Sequence, residues 1–227
     1  REIVIQGQPA GLAWSTSRNS ILVAEYGMGT VAEIEPRSGK TLRRFPVGLK
    51  PLGLAVANRR GLLLVTHAAP DIVSVIDLND GKERASIPIP RQAESVAITP
   101  DESLAVVGGF LPAGQASEPD TAAVVSLIDL DTLARLADIP LPPGSTTARG
   151  MAVSPDGHWA YLAHTVGRFN VPTTQIERGW INTNALSVID LVKREHLATV
   201  LLDSIASGAA DPWGVAVSRD GNTLWIS

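Results

Sequence analysis

Short runs of alternating apolar and polar residues make up most of the chain, and helical periodicity is nearly absent. Residues 51–90 contain four such runs, GLAV, LLLVTH, IVSVIDL and ERASIPI, separated by turn-prone clusters such as Asn79-Asp80-Gly81. Alternation with a period of two indicates β-strands, and Asn, Asp and Gly favour the turns between antiparallel strands. The stretch therefore predicts a four-stranded antiparallel sheet.

The same four-strand pattern recurs before and after this stretch. Gly11, Gly53 and Ser95 open three units at a constant spacing of 42 residues, and Gly150 and Gly214 open two more after longer intervals. Such a period with four strands in each unit is typical of β-propeller blades. A β-sandwich also has many short strands, but it has no reason to keep a fixed register. We therefore predict an all-β fold of the β-propeller type.

We interpret residues 1–227 as one domain, which the repeat divides into blades. Because the chain starts at Arg1 without an initiator Met and stops inside a strand pattern, we expect the interior of a longer protein. Glu2–Ile5 is predicted to be the last strand of a preceding blade. The prediction is an open arc of four full blades, at residues 9–48, 51–90, 93–142 and 148–202, with partial blades at residues 1–7 and 212–227.

The net charge, the lack of cysteine and the short apolar runs of the chain disfavour or exclude several classes of function. Hydrophobic residues make up 44% of the 227 residues, enough for a large core, and the formal net charge is −4 with scattered basic residues. This charge disfavours binding to nucleic acid or to an anionic membrane surface. The chain has no cysteine, which excludes disulfides, thiolate metal sites and covalent c-type haem within these residues. No apolar run approaches the length of a membrane span.

Departures from the repeat are the strongest functional signal. Two units carry insertions between their second and third strands, at residues 110–122 and within residues 165–184. The connections PPGSTTARG and DSIASGAADPWG, which enter the fourth and fifth units, are also long. Strand alternation brings loops of these two kinds to the same end of the channel. We interpret this end as a binding or docking face, the alternative being drift in loop length without function.

The longest insertion mixes aromatic and cationic residues that are typical of recognition surfaces. Packing of its two aromatic rings onto the rim of the propeller is the alternative. The two long connections between blades contribute further candidate binding residues. These residues directly precede first strands, which line the channel. A ring of mixed charge there could bind a small anion, orient a partner or simply be a solvated rim. The candidates are Arg168, Phe169, Arg178 and Trp180 in the insertion, and Arg149, Asp211 and Trp213 in the connections.

His67 and His164 occupy the same position in two units, at the end of a second strand. They lie on non-adjacent blades, so strand spacing puts them on the order of 20 Å apart. Ligands of one zinc ion must lie within about 4 Å of one another. We therefore predict no metal site, and we expect each histidine to bond to a loop beside its own blade. Both stay candidates for ligand or partner binding.

Recurrent acidic residues are predicted to be structural. Asp77, Asp129 and Asp190 recur in the IDL motif, and Asp156 and Asp220 recur in the turns that resemble SPDG. A carboxylate that returns in every blade is expected to bond to the amides of a turn. The sequence contains no G-x-S-x-G elbow, HExxH, Walker loop or dinucleotide fingerprint, so no catalytic residue is predicted.

The stretch VSVIDLNDGKERASIPIPRQAESVAITPDESLAVV resembles the YVTN-type β-propeller repeat, and the likeness extends over the whole chain. RFNVPTTQIERGWINTNALSVIDL resembles an exported subset of these proteins that joins the propeller to a di-haem, cytochrome c peroxidase-like module. The resemblance implies seven blades in the complete protein and a periplasmic or extracellular location. It also implies c-type haem in a downstream domain and no cofactor within this chain.

The favoured hypothesis is a non-catalytic scaffold from an exported bacterial protein. Its loop-elaborated face would dock a protein partner, such as a c-type cytochrome or a fused peroxidase-like domain. One alternative is a propeller oxidoreductase or lyase in which Arg149, His164 and Arg178 hold a substrate anion at the channel mouth. Another is a cell-surface adhesion or ligand-sensing module.

Overall fold

The computed structural model describes residues 2–167, 182–203 and 211–227, and within these ranges it contains β-strands and no helix. Among the described residues, no helix has the length and apolar character that crossing a membrane requires. The strands are β1 (Pro9–Ser15), β2 (Ser20–Glu25), β3 (Thr30–Ile34), β4 (Thr41–Pro46), β5 (Pro51–Ala57), β6 (Leu62–His67), β7 (Ile72–Asp77), β8 (Glu83–Pro88), β9 (Ala93–Ile98), β10 (Leu104–Gly109), β11 (Val124–Asp129), β12 (Ala134–Pro140), β13 (Ser145–Val153), β14 (Trp159–Gly167), β15 (Asn182–Asp190), β16 (Glu195–Leu201), β17 (Val215–Val217) and β18 (Leu224–Ile226).

The strands form consecutive antiparallel sheets in chain order. Blade 1 is β1–β4, blade 2 is β5–β8, blade 3 is β9–β12 and blade 4 is β13–β16, and β17 pairs with β18 in a two-stranded sheet. The first strands β1, β5, β9, β13 and β17 contact one another in succession. They therefore form the inner ring, with the fourth strands outside. The predicted all-β architecture, an open arc of four-stranded blades, is confirmed.

Hydrophobic clusters between neighbouring blades form the core. In β7, Val73 and Val75 face blade 3 and pack in a cluster with Val107 and Ile128. Ile76 of the same strand faces blade 1 and packs in a different cluster. A strand buried on both faces in this way reads as a nearly continuous apolar run. This is why the third strands have sequences such as VSVIDL rather than a strict apolar–polar alternation.

The recurrent glycines allow the inner strands to approach closely. A Cβ atom on Gly150 would lie 2.6 Å from the carbonyl oxygen of Trp213 in the next blade. A Cβ atom on Gly53 would come within overlapping distance of the carbonyl oxygen of Glu94. In blade 3 the corresponding residue is Ser95, whose Oγ donates a hydrogen bond to the carbonyl oxygen of Ala148 at 3.0 Å. The glycine column therefore sets the spacing of the inner ring.

Replacing Gly53 with alanine should lower the free energy of unfolding by about 1–3 kcal/mol, because the added methyl group forces β5 away from β9. Gly167→Ala is a matched control, since a Cβ atom there meets its nearest neighbour, the carbonyl oxygen of Gly144, at 3.4 Å. Urea denaturation measures both variants. Equal stability of the two variants would contradict the proposed role of the column.

The N-terminal segment differs from its prediction. Glu2–Ile5 is not a strand; instead, Ile3 and Ile5 pack against Val23, Ala32 and Ile34 of blade 1. The segment pairs with no described strand. Its isoleucines instead bury apolar surface against the face of blade 1 that is turned away from blade 2.

Candidate functional site

Loops that follow second strands lie at the same end of the molecule as the connections between blades. Ala68 N–H donates to the Lys50 carbonyl oxygen at 3.0 Å, and Phe110 N–H donates to that of Gln92 at 2.7 Å. Each bond joins the start of a loop after a second strand to a connection between blades. The predicted co-location of the elaborated segments is thus confirmed where they are described. We call this end, comprising residues 26–29, 47–50, 68–71, 89–92, 110–123, 141–144 and 211–214, the loop-bearing end.

The insertion at residues 110–122 is fixed to the next blade. The carbonyl oxygen of Phe110 accepts hydrogen bonds from Thr147 N–H at 2.7 Å and from Thr146 Oγ1 at 3.0 Å. Gly144 N–H donates to the carbonyl oxygen of Thr121 at 2.9 Å. Strand β13 begins at Ser145, so part of the long connection predicted to enter blade 4 is strand rather than loop. The insertion therefore has a defined position beside β13.

Arg149 lies at the centre of the candidate site. It lies within an irregularity in the pairing of β13 with β14, between Thr146 and Gly150. Its guanidinium carbon lies 4.4 Å from the ring centroid of Trp213 and 5.2 Å from that of Phe110. Both distances are within the range of cation–π contacts. Three distant segments of the chain thus meet at one side chain.

Two carboxylates flank the same guanidinium. Arg149 Nη1 donates to Asp211 Oδ2 at 2.8 Å, and its Nε lies 3.5 Å from Glu94 Oε1. Burial raises the pKa of Glu94, and the positive charge of Arg149 opposes this rise. The positive charge of Arg149 is therefore compensated within the site. No comparable role appears for Lys50, whose Nζ lies 6.0 Å from the ring centroid of Tyr26.

Hydrogen bonding holds the backbone of Trp213 in place. Its N–H donates to the carbonyl oxygen of Ser227 at 2.6 Å, and its carbonyl oxygen faces Gly150. The residue is nevertheless 61% exposed, and the side chain of Asp211 is 64% exposed. The site thus presents an aromatic ring and a carboxylate to solvent from an ordered position.

His67 is buried between blades 1 and 2, and not at the channel mouth. Its Nδ1 lies 2.7 Å from the carbonyl oxygen of Leu49, and its Nε2 lies 3.1 Å from Ser74 Oγ. Because a carbonyl oxygen can only accept, Nδ1 carries the proton, and Nε2 of the neutral ring accepts from Ser74. Burial lowers the pKa of His67. The expected bond between this histidine and a neighbouring loop is present.

His164 is also fully buried, in a chain of hydrogen bonds across blade 4. His164 Nε2 lies 2.8 Å from Ser187 Oγ, which lies 2.7 Å from Thr199 Oγ1, and that atom lies 2.8 Å from His196 Nε2. The other ring nitrogen of His164, Nδ1, is buried without a partner. Burial lowers the pKa of His164 to about 4. The ring therefore stays neutral at ordinary pH and faces the core rather than a ligand.

Three positions in each four-stranded blade correspond to one another, and we call them together the polar column because most of their residues are polar. Its members lie on the second, third and fourth strands, on the face toward the preceding blade. Each blade fills the column with a different set of residues. The sets are Glu25, Ala32 and Arg44 in blade 1, His67, Ser74 and Ser86 in blade 2, Gly109, Ser126 and Asp138 in blade 3, and His164, Ser187 and Thr199 in blade 4. The two histidines are thus members of a structural set.

The recurrent acids have the predicted structural role. Asp77 Oδ1 accepts from Asn79 N–H at 2.8 Å, Asp129 Oδ1 from Asp131 N–H at 2.8 Å, and Asp190 Oδ1 from Lys193 N–H at 2.8 Å. Among the described residues, no group of three or more His, Asp or Glu side chains is arranged to hold a metal ion.

The opposite end carries a groove of about 610 Å³ between the turns of blades 3 and 4. Of the carboxylates that line it, Asp101 accepts from Ser103 N–H at 3.1 Å and Asp156 from His158 N–H at 3.0 Å. Both carboxylates therefore serve as hydrogen-bond acceptors within their own turns. The loop-bearing end is therefore the better candidate site.

The structure brings three predicted residues together: Arg149, Asp211 and Trp213. It places His67 and His164 inside the blades, where neither side chain reaches solvent. The other predicted residues, Arg168, Phe169, Arg178 and Trp180, lie outside the described residues. Phe110 and Glu94 complete the cluster and were not among the predicted site residues. The one available signal was position, since Phe110 opens an insertion and Glu94 lies at the start of the first strand β9.

Comparison with known proteins bears on the fold. No protein-family model matches the chain. Its architecture is similar to that of a β-propeller domain from Myceliophteria thermophila, with a TM-score of 0.71 at 13% identity over 99% of this chain and 64% of that one. The chain has the β-propeller fold. It is also similar to hydrazine synthase from Kuenenia stuttgartiensis, with a TM-score of 0.63 at 19% identity over 98% of this chain and 76% of that one.

Two further comparisons match proteins named as a dehydrogenase and as a subunit of a synthase. A dihydro-haem d1 dehydrogenase matches with a TM-score of 0.63 at 19% identity, over 89% of this propeller and 40% of that chain. Among curated proteins, hydrazine synthase subunit beta of Kuenenia stuttgartiensis is 26% identical over 82 residues. That match covers 36% of this chain and 21% of the subunit, so it spans about a fifth of the relative's length. At these identities the likeness concerns the fold.

Proposed function

We propose that this propeller is a non-catalytic scaffold whose loop-bearing end docks a protein partner. The observation that carries the proposal is the exposed ring of Trp213, stacked on Arg149 and backed by Phe110. Tryptophan and arginine are enriched among residues that dominate binding energy at interfaces. Because the stack is already formed in the free chain, little side-chain entropy would be lost on association.

The similar proteins support a partner from redox chemistry. Hydrazine synthase subunit beta is, by its name, one subunit of a larger enzyme. Together with the resemblance to exported YVTN-type proteins, this supports a c-type cytochrome or a peroxidase-like domain as the partner. The proposal includes a periplasmic or extracellular location, and it assigns any haem to the partner rather than to this chain.

A catalytic role for the same end has less support. An enzyme that holds a substrate anion needs a cationic group that is free to bind it, and Arg149 is already paired with Asp211 and flanked by Glu94. His164, which this hypothesis assigns to the substrate anion, has no exposed surface. The geometry therefore favours docking over turnover.

Trp213→Ala in the full-length protein should weaken binding to soluble c-type cytochromes at least tenfold, which corresponds to about 1.4 kcal/mol of binding free energy. Trp14→Ala is the matched control, because Trp14 is 46% exposed on β1, away from the loop-bearing end. Isothermal titration calorimetry gives the affinities, and thermal unfolding verifies that both variants are folded. If the two variants bind equally well, or if no cytochrome in the panel binds, the proposal is wrong.

A further inference from the structure

The charge of the candidate site indicates the chemistry of its partner. One guanidinium, that of Arg149, lies between the carboxylates of Asp211 and Glu94. The guanidinium carbon also lies 5.2 Å from the ring centroid of Phe110 and 4.4 Å from that of Trp213. The positive charge of Arg149 is therefore already matched within the site, which disfavours an anion as its ligand. Two carboxyl groups thus face one guanidinium in this cluster.

The exposed groups of the site suit a cation. Arg149 covers one face of the Trp213 indole, and the residue still exposes 61% of its surface. The π-face of an indole attracts an ammonium or guanidinium group. The neighbouring carboxylate of Asp211 is mostly exposed and can accept a further charge-assisted hydrogen bond. A lysine or arginine side chain could therefore meet both groups at once.

The described part of the surrounding surface has the same sign. Among the described residues of the loop-bearing end and its margin, acids outnumber bases. Of the bases, Arg91 directs Nη1 to the carbonyl oxygen of Pro112 at 3.1 Å, and Lys50 lies beside Tyr26. A negative field of this kind accelerates association with a positively charged surface. Within the defined loop-bearing end the acids are Asp71, Glu118, Asp120 and Asp211 and the bases are Lys50 and Arg91, and Glu94, Arg149 and Asp203 border it.

We infer that the partner surface is basic and places a lysine or arginine side chain against Trp213 and Asp211. This inference rests on the proposed docking function and specifies its chemistry. The sequence had left open a small anion at the mixed-charge rim, and the pairing of Arg149 argues against that choice. The ion pair with Asp211 and the stack on Trp213 fix the orientation of the partner, and the acidic surroundings guide its approach.

The test compares two c-type cytochromes, one with a strongly basic surface and one with a strongly acidic surface. Binding to the full-length protein is measured at low and at physiological salt. The basic cytochrome should bind, and its affinity should fall as salt rises. Asp211→Asn should weaken this binding about tenfold, since the asparagine oxygen can still accept from Arg149 but carries no charge. Asp120→Asn, which removes an exposed charge from the same end, should change affinity less than twofold.

The outcomes separate this inference from the proposed function. Binding of the acidic cytochrome, with loss of affinity in Trp213→Ala, overturns the basic partner and leaves docking intact. Equal effects of Asp211→Asn and Asp120→Asn overturn the specific contact and also leave docking intact. Binding of neither cytochrome, or binding that is insensitive to Trp213→Ala, overturns both.

Discussion

Replacing Arg44 with methionine should lower the free energy of unfolding by about 3 kcal/mol. Glu25, its partner in the polar column of blade 1, is fully buried. The carboxylate of Glu25 accepts from Arg44 Nε at 2.9 Å, from Arg44 Nη2 at 3.2 Å and from Thr30 Oγ1 at 2.6 Å. Removing the guanidinium leaves a buried charge without its counter-charge, which costs far more than the loss of a surface ion pair.

Chemical denaturation of three variants tests this prediction. The double variant Glu25→Leu with Arg44→Met should recover most of the loss, because a well-packed apolar pair avoids the desolvation penalty. Arg84→Met is the control, since its partners Asp77 and Asp80 are partly exposed; that change should cost less than about 1 kcal/mol. Equal losses in Arg44→Met and Arg84→Met would show that the buried pair has no special role.

Lowering the pH from 7 to 4 should reduce the free energy of unfolding by about 3 kcal/mol through His164 alone. Its pKa is about 4 in the folded chain and 6.5 in the unfolded chain. The unfolded chain therefore binds the proton first as the pH falls. The stabilisation is complete above pH 6.5 and is lost progressively down to the folded pKa. His67, whose pKa burial also lowers, adds a loss of the same sign.

The slope of stability against pH isolates the contribution of His164. His164→Gln keeps an amide that can hydrogen-bond to Ser187 but cannot titrate, so its slope between pH 6.5 and 4 should be distinctly shallower than that of the parent protein. His158→Gln replaces an exposed histidine in a turn and is the control, and its slope should be steeper than that of His164→Gln. The prediction fails if all three proteins lose stability in parallel over this range.

The repeat architecture could be predicted because its determinants are local. Alternation within strands, the glycines that open each blade and the acids that bond to turn amides all lie within a few residues of the groups they serve. Asp129 illustrates this, because its carboxylate bonds to amides two and three residues further on. Such patterns are readable in any single blade and are reinforced by repetition.

Where the sequence reasoning failed, the deciding contact lay elsewhere in the chain. Glu2–Ile5 has the alternation of a strand, but its isoleucines pack on a face of blade 1 and the segment pairs with no described strand. The sequence pattern ends a second strand at His164, whereas β14 continues to Gly167 and the packing of blade 3 against blade 4 buries the histidine. The stack of Phe110, Arg149 and Trp213 joins segments separated by many residues, and no local pattern reveals that they meet.

The polar column has a consequence for how such a chain can diverge. The residues of the column differ from blade to blade. Blade 1 uses a glutamate with an arginine, blades 2 and 4 each use a histidine with hydroxyl groups, and blade 3 uses a serine with an aspartate. Substitutions should therefore be correlated among the second, third and fourth strands of one blade and nearly independent between blades. A whole set moved from one blade to another should be tolerated better than any single member of it. The residues of the polar column within one blade are therefore expected to change together during evolution, rather than one at a time.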